Sequence, residues 1–161
     1  MPPRATRGPT RSPHDAYPCR GEDQWIAIAV EHSAHWAALC GELGWTDWAD
    51  DPGLRDVTGR RTRADEILRR LSGVTRDHDK ADLAQRLQRA GVRAAPVQNG
   101  KELFEGPQLR HRGWFARLTH PEAGTHEYAG LLLEMAGRIL QPVSAAPLLG
   151  QHTAEFLKEA D

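Results

Sequence analysis

A pair of histidines is the first feature whose residue types and spacing suit chemistry. The sequence holds eight histidines, and His32 and His35 stand three residues apart, so they would share one face of a helix. A zinc site needs three or four converging ligands, however, and no HExxH motif or Cys/His pairing accompanies this couple. The sequence therefore predicts no metal site, and it places both histidines near solvent at a helix start.

Two neighbouring carboxylates and a thiol are the next candidates for an acid, a base or a nucleophile. Asp50 and Asp51 are adjacent, but Pro52 and Gly53 follow them, which indicates a loop in which neighbouring side chains point apart. Cys19 would react only with a base nearby to lower its pKa, and otherwise behaves as a small apolar residue beside a strand. We expect solvated loop acids, an inert thiol and no catalytic residue in this chain.

Phosphate-binding and stacking motifs are equally sparse. The sequence contains no GxGxxG, Walker-type or GxSxG motif, and no two glycines are adjacent. Its five tryptophans favour core or interface positions over stacking platforms. The nearest approach to a basic groove is Arg110, His111 and Arg112, just before Trp114. The residue patterns therefore assign no cofactor-binding residue.

Composition narrows the class of protein. The chain has 161 residues and a formal net charge of −1, so it presents no field that would gather nucleic acid or an anionic membrane. No segment is long and apolar enough to suggest a membrane span or a signal peptide. Two distant cysteines do not form a disulfide framework, which favours a reducing, cytoplasmic setting. We expect a cytoplasmic globular protein that binds neither nucleic acid nor membrane.

The elements that would position these residues begin with a strand and an amphipathic helix. Residues 24–30 form a short apolar run with β-branched members, typical of a buried strand. Ser33 is a suitable cap for the helix that follows, and Gly44 can take the left-handed conformation at its end. The apolar stripe of that helix comprises Trp36, Leu39, Cys40 and Leu43.

The middle of the chain predicts a loop, two helices and a second strand. Residues 46–59 are dense in Asp, Pro and Gly and indicate a loop. A helix should follow with a stripe from Ala64 to Leu71 and an end at Gly73. Asp79 should cap the next helix, and Gly91 should stop it directly before a strand over residues 92–97.

The last third predicts a hairpin and a terminal helix. Strands over residues 114–118 and 128–133 flank the turn-forming segment HPEAGTHE, and Thr153 can cap a helix with Phe156, Leu157 and Ala160 on one side. Because the clearest strand pair is a hairpin, we expect an α+β fold with a short, mainly antiparallel sheet flanked by helices. The Pro-rich residues 1–15 should form a flexible lead or connector, and residues 16–140 a small α+β domain.

Several runs in fixed order resemble the C-terminal half of family III CoA-transferases, the CaiB/BaiF type. They are YPCRGEDQWIAIAV, DPGL, AGVRAAPVQ, GPQLRHRGWF and APLLGQHTAEFL. The resemblance implies that residues 141–161 form a tail and helix that return toward a large domain absent from this chain. It also implies an aspartate nucleophile in that large domain, a coenzyme A thioester as substrate, and a homo-oligomeric complete enzyme.

The resemblance leaves the function of this chain open between three possibilities. The first is the C-terminal part of a CoA-transferase, inactive without the N-terminal half, which would come from a fused domain or a split subunit. The second is part of an α-methylacyl-CoA racemase-like isomerase on the same scaffold, and the third is a non-catalytic interaction module. We expect the isolated chain to bind no cofactor by itself and to expose apolar surface along Phe156 and Leu157.

Overall fold

Three short strands form the sheet in the first part of the protein. The computed structural model describes residues 11–131 and 133–158. Strands β1 (His14–Pro18), β2 (Trp25–Ala29) and β3 (Arg93–Val97) are all antiparallel and lie in the order β1-β2-β3. Tyr17 pairs with Ile26, and Ile28 pairs with Ala94, so these residues share the face that points into the core. The predicted strands β2 and β3 and the α+β class are confirmed.

Strand β1 is an element that the sequence pattern did not predict. It contains His14, Asp15 and a proline, which are poor strand formers, and it follows a Pro-rich segment. The Ser12 N–H donates to the carbonyl of Val30, and the Val30 N–H donates to the carbonyl of Pro13, which extends the pairing with β2. Tertiary hydrogen bonding therefore overrides local propensity here. Residues 1–10 of the predicted lead lie outside the described part of the chain.

Helices cover one face of this sheet. The longer ones are α1 (Ser33–Glu42), α4 (Ala64–Thr75) and α5 (Lys80–Arg89). Helix α5 begins and ends as predicted, because the Asp79 carboxylate accepts hydrogen bonds from the Ala81 and Asp82 N–H groups and Gly91 has a positive φ. For α1, the predicted cap at Ser33 is wrong: the helix already includes Ser33, and His32 stands at the cap position without a capping side-chain hydrogen bond.

The segment predicted as a loop over residues 46–59 folds into short helices instead. They are α2 (Thr46–Ala49), a 3₁₀ turn (Pro52–Leu54) and the start of α3 (Val57–Thr62). The side chains of Asp51 and Asp56 cap the last two by accepting N–H groups of Gly53 and Gly59. A Cβ at Gly59 would lie 1.9 Å from the Gly53 carbonyl oxygen, so this packing requires glycine.

Helix α4 continues past Gly73, which was predicted to end it. It reaches Thr75, whose buried hydroxyl donates to the Pro18 carbonyl at 2.7 Å. A helical glycine costs about 1 kcal/mol relative to alanine, and anchoring the next turn to β1 offsets that cost. The end of this helix is therefore decided by a contact with the sheet.

The core lies between the sheet and these helices. The fully or nearly fully buried apolar side chains are Tyr17, Cys19, Ile26, Ile28, Val30, Trp36, Leu39, Cys40, Trp45, Trp48, Leu54, Ile67, Leu71, Leu83, Ala84, Leu87, Val92 and Ala94. All of them belong to the unit that ends at Val97. The predicted stripes of α1, α4 and α5 supply its helical side.

Arg60 of α3 is a charged residue inside this core. It is 1% exposed, and its guanidinium donates to the carbonyls of Ser12 (2.6 Å), Leu54 (2.9 Å) and Arg55 (2.7 Å). It also lies 5.6 Å from the ring centroid of Trp36. Burial lowers the pKa of Arg60, but a guanidinium stays protonated in proteins. The carbonyl acceptors and the aromatic face replace the water that this cation loses.

The second unit begins at Gln98. Helices α6 (Gly100–Glu105) and α7 (Pro107–His111) precede a hairpin of β4 (Phe115–His120) and β5 (Gly124–Ala129). A second, shorter hairpin joins β6 (Glu134–Met135) and β7 (Arg138–Ile139), and α8 (Thr153–Lys158) follows. The predicted hairpin and terminal helix are confirmed, although Ala160 of the predicted helix lies outside the described residues.

The second strand of the main hairpin differs from its prediction. The observed strand is β5 (Gly124–Ala129) rather than residues 128–133. Leu118 pairs with His126 and His120 pairs with Gly124, which leaves a tight turn between β4 and β5. Gly124 adopts φ +82°, a conformation that suits glycine at this turn. The polar residues His126 and Glu127 fall within the predicted turn segment, but they pair with β4 and are therefore strand residues.

The second unit buries few apolar side chains. None of α6, α7 and α8 contains a buried residue, and Phe156 and Leu157 are 70% and 66% exposed. The exposure predicted for these two side chains is therefore observed. Within the described residues, no helix combines the length and apolar character that crossing a bilayer requires. The domain boundaries predicted at residues 15 and 140 stay predictions.

Replacing Arg60 tests its role in the core. We expect Arg60→Met to lower the free energy of unfolding by about 3 kcal/mol, because buried carbonyls lose their donor. Arg69, an exposed arginine in α4, provides the control. Arg69→Met should change the free energy of unfolding by less than about 0.5 kcal/mol. Urea unfolding followed by tryptophan fluorescence measures both, and equal stabilities of the two variants would contradict the assignment.

The α5 cap gives a second prediction, with a pH dependence. We expect Asp79→Ala to cost about 1 kcal/mol at pH 7, whereas Asp77→Ala, a neighbouring exposed carboxylate, should be close to neutral. The N–H groups of Asp82 and Ala81 lower the pKa of Asp79 below its ordinary value of 3.8. The contribution of the cap is therefore present above that ordinary value and is lost as the pH falls through the lower, folded-state pKa. A cost independent of pH down to pH 2 would refute the cap.

Candidate functional site

The two thiols are buried in the core and are not nucleophiles. Burial, together with the nearby Asp79 carboxylate, raises the pKa of Cys19 to about 11. Burial also raises the pKa of Cys40 to about 11. A thiol attacks as its thiolate, and both groups stay protonated at neutral pH. The structure thus agrees with the prediction that Cys19 is a small apolar residue beside a strand.

The acidic segment after α1 forms ion pairs rather than a carboxylate dyad. The Asp51 carboxylate contacts Arg63 and caps Gly53, and both interactions lower its pKa. Asp47 accepts two hydrogen bonds from Arg70, at 2.6 and 2.8 Å. The prediction of solvated loop acids is therefore wrong for Asp51, which pairs with Arg63, whereas Asp50 is exposed. Asp47 and Asp51 are thus paired with arginines rather than with a second carboxylate.

Stacked arginines and tryptophans surround this acidic segment. The guanidinium carbon of Arg70 lies 4.5 and 4.3 Å from the ring centroids of Trp45 and Trp48, and that of Arg63 lies 5.7 Å from Trp48. This cluster was not predicted from the sequence. The sequence pattern that corresponds to it is a pair of tryptophans three residues apart, followed by two arginines seven residues apart. Because the rings are occupied by protein cations, they are core residues rather than ligand platforms.

The histidine pair is close but does not form a metal centre. The ring centroids of His32 and His35 are 3.6 Å apart, and the Glu31 N–H approaches Nδ1 of His35 at 3.5 Å. Desolvation, followed by the charges of His32 and Arg93, lowers the pKa of His35. Across the described ranges, no group of three or more His, Cys, Asp or Glu side chains could hold an ion.

The basic run before Trp114 does not form a groove around that ring. Arg110 lies between Phe104 and Phe115, 4.3 and 4.6 Å from their centroids, and pairs with Glu127 at 2.7 Å. The Trp114 indole donates to the Gly130 carbonyl at 2.6 Å. Arg110 therefore stabilises the second unit through its contacts with two phenylalanine rings and a carboxylate.

A cleft of about 360 Å³ lies beside the edge strand β1 in the first unit. Its floor includes the apolar side chains of Ile67 and Leu68. Its polar lining comprises Arg11, Ser12, His14, Asp15, Thr58, Arg61 and Thr62. The volume is that of a small-ligand pocket, but Asp15 accepts a backbone hydrogen bond from Ala16 and the Thr62 hydroxyl donates to the Thr58 carbonyl. The cleft offers polar contacts and no nucleophile activated by a base.

Almost the full length of the chain shares its α+β fold with a solved CaiB/BaiF family protein. A CaiB/BaiF family protein from Brucella suis superposes with a TM-score of 0.75, over 96% of this chain and 39% of its own, at 21% identity. This likeness concerns the fold alone, an α+β arrangement of short antiparallel sheets and helices. The family profile described as CoA-transferase family III matches residues 1–153. The chain therefore belongs to CoA-transferase family III.

Two curated relatives illustrate the family. A succinyl-CoA:mesaconate CoA-transferase of Haloarcula hispanica is 31% identical over 153 residues, which are 94% of this chain and 37% of the relative. A formyl-CoA:oxalate CoA-transferase of Rhodopseudomonas palustris is 28% identical over 145 residues, 88% of this chain and 34% of the relative. The chain thus spans little more than a third of the length of these proteins.

The buried thiols predict a reactivity pattern. We expect Cys19 and Cys40 to react with iodoacetamide very slowly in the native protein at pH 7, and rapidly in urea. Because their folded-state pKa values lie near 11, native reactivity should rise only as the pH approaches that value. Peptide mass spectrometry measures both sites, and fast labelling of native Cys19 at pH 7 would show that it is an accessible thiolate.

Proposed function

We propose that this chain supplies the C-terminal part of a CoA-transferase that moves coenzyme A from an acyl-CoA thioester to a free carboxylic acid. The observation that supports this proposal is the family III match over residues 1–153. Both relatives described above are named for transfer of CoA between acids, which favours transfer over isomerisation.

The chemistry implied by the family resemblance takes place on an aspartate outside this chain. Its carboxylate oxygen attacks the thioester carbonyl and releases CoA thiolate, leaving a mixed anhydride. The thiolate then attacks the aspartyl carbonyl and releases the first acid, and an incoming carboxylate repeats the two exchanges in reverse. Every bond to CoA that breaks is replaced by one that forms, so no oxidant or metal is required.

The role proposed for this chain is to enclose that reaction. Anhydrides and thioesters hydrolyse in water, and walls that exclude water protect them. The exposed apolar side chains of the second unit, including Phe156 and Leu157, support contact with a further part of the protein. We propose that this part is the large N-terminal domain, in the same polypeptide or in a split subunit, and that the complete enzyme is a homo-oligomer.

A cytoplasmic location completes the proposal. Both cysteines are free and buried, which suits a reducing compartment. CoA thioesters would be the substrates there, and no resident cofactor is proposed for this chain.

A chimera tests the function. The whole chain replaces the region that it matches in the Rhodopseudomonas formyl-CoA:oxalate CoA-transferase, and CoA exchange between formyl-CoA and oxalate is followed by chromatography. We expect exchange by the chimera and none by the isolated chain, because the nucleophile lies outside the chain.

The control is the same chimera with the catalytic aspartate of its N-terminal part replaced by alanine, which should be inactive. A folded chimera without exchange would contradict the proposal. So would thioester turnover by the isolated chain that is abolished by changing one of its own side chains.

A further inference from the structure

The face of the three-stranded sheet that points away from the core is made almost entirely of apolar side chains. The strand register places three rows across it, and we call these nine residues the outer face. The rows are Pro18, Trp25 and Val97; Ala16, Ala27 and Ala95; and His14, Ala29 and Arg93. A groove of about 680 Å³ is lined by the second and third of these rows, and Ala27 and Ala95 are exposed in it.

This composition differs from that of a sheet with one face in water. Antiparallel strands of that kind alternate apolar and polar residues, whereas β2 reads Trp-Ile-Ala-Ile-Ala with no polar residue. Strands that are apolar on both sides are typical of sheets covered on both faces. Helices α4 and α5 pack on the core side of the sheet. The sequence of β2 therefore indicates that a second layer belongs on the outer face.

The size of the face identifies the kind of element that covers it. Three strands about 4.8 Å apart and five residues long span about 14 by 17 Å, or roughly 240 Å². A stable interface with a second copy of the chain would need about 800 Å² on each side, so this face alone is too small for one. A helix about 10 Å wide covers the same length with about 11 residues. The alanine row gives that helix a shallow floor with room for large side chains.

Polar groups at one end of the face specify the chemistry of the partner. Arg11 and Arg93 share the single carboxylate of Glu31, at 2.8 and 2.9 Å, so the exposed guanidinium of Arg93 has donors left for a second carboxylate. A partner helix with an acidic residue at this end would complement Arg93.

We propose that the outer face is the docking surface for one amphipathic helix from the part of the family III polypeptide that lies outside this chain. The helix places large apolar side chains over Ala16, Ala27 and Ala95 and an acidic side chain near Arg93. This inference rests on the proposed function, because that function supplies the additional polypeptide. It goes further by naming the surface and the element that meet.

Site-specific thiol labelling tests the docking surface. Ala27→Cys places a thiol in the centre of the outer face, and Ala37→Cys places a matched control on the exposed side of α1. The native Cys19 and Cys40 serve as internal reporters of folding, since both are buried and protonated. Each variant is labelled with N-ethylmaleimide at pH 7, in the isolated chain and in chimeras built on the Rhodopseudomonas and Haloarcula relatives.

We expect the thiol at position 27 to react at least about tenfold more slowly in a chimera than in the isolated chain, as for a site that must open before it is labelled. The thiol at position 37 should react equally fast in both. Protection at position 27 without CoA exchange would support the docking surface and remove the proposed function. Exchange with position 27 as reactive as in the isolated chain would overturn the docking surface alone. Rapid labelling of Cys19 and Cys40 in both chimeras would show that the chain does not fold there, which counts against both proposals.

Discussion

The guanidinium of Arg60 is the interaction on which the first unit depends. A buried cation is tolerated only where polar groups replace its water, and here backbone carbonyls and the Trp36 ring do so. These groups come from the segment before β1, from the 3₁₀ turn and from α1. One side chain therefore joins three stretches that are distant in the sequence. The cation thereby holds the edge strand β1 and the segment between α1 and α4 together.

The same logic extends to the stacked arginines beside Arg60. Arg63, at the cap position before α4, pairs with Asp51, and Arg70 of α4 pairs with Asp47, while both guanidinium groups lie over tryptophan rings. The carboxylates of Asp47 and Asp51 thus stabilise the packing of the segment between α1 and α4. This is the physical reason why Asp47 and Asp51 do not act as a general base here.

Each unit of the chain has one surface with exposed apolar side chains. The first unit has a closed core on one side of its sheet and an alanine-lined face on the other. The second unit relies on hairpin hydrogen bonds and on the Arg110 contacts with Phe104, Phe115 and Glu127, while leaving large apolar side chains exposed. The docking proposed above would cover the alanine-lined face of the first unit, and the proposed contact with a large domain would cover the exposed side chains of the second.

The sequence by itself determined the α+β class, the apolar stripes of α1, α4 and α5, strands β2 and β3, and the family, because periodicity, turn residues and ordered motifs are local signals. Only the tertiary structure decided that His14 to Pro18 form a strand, that residues 46–59 coil into short helices, and that α4 passes Gly73. Two of these depend on a partner far along the chain, Val30 for the residues before β1 and Pro18 for Thr75. The 3₁₀ turn depends on Arg60, which donates to the Leu54 carbonyl and, from the core, to the distant Ser12 carbonyl. Local patterns do not contain such long-range hydrogen bonds, so the same reason hides the arginine and tryptophan cluster and the outer face of the sheet.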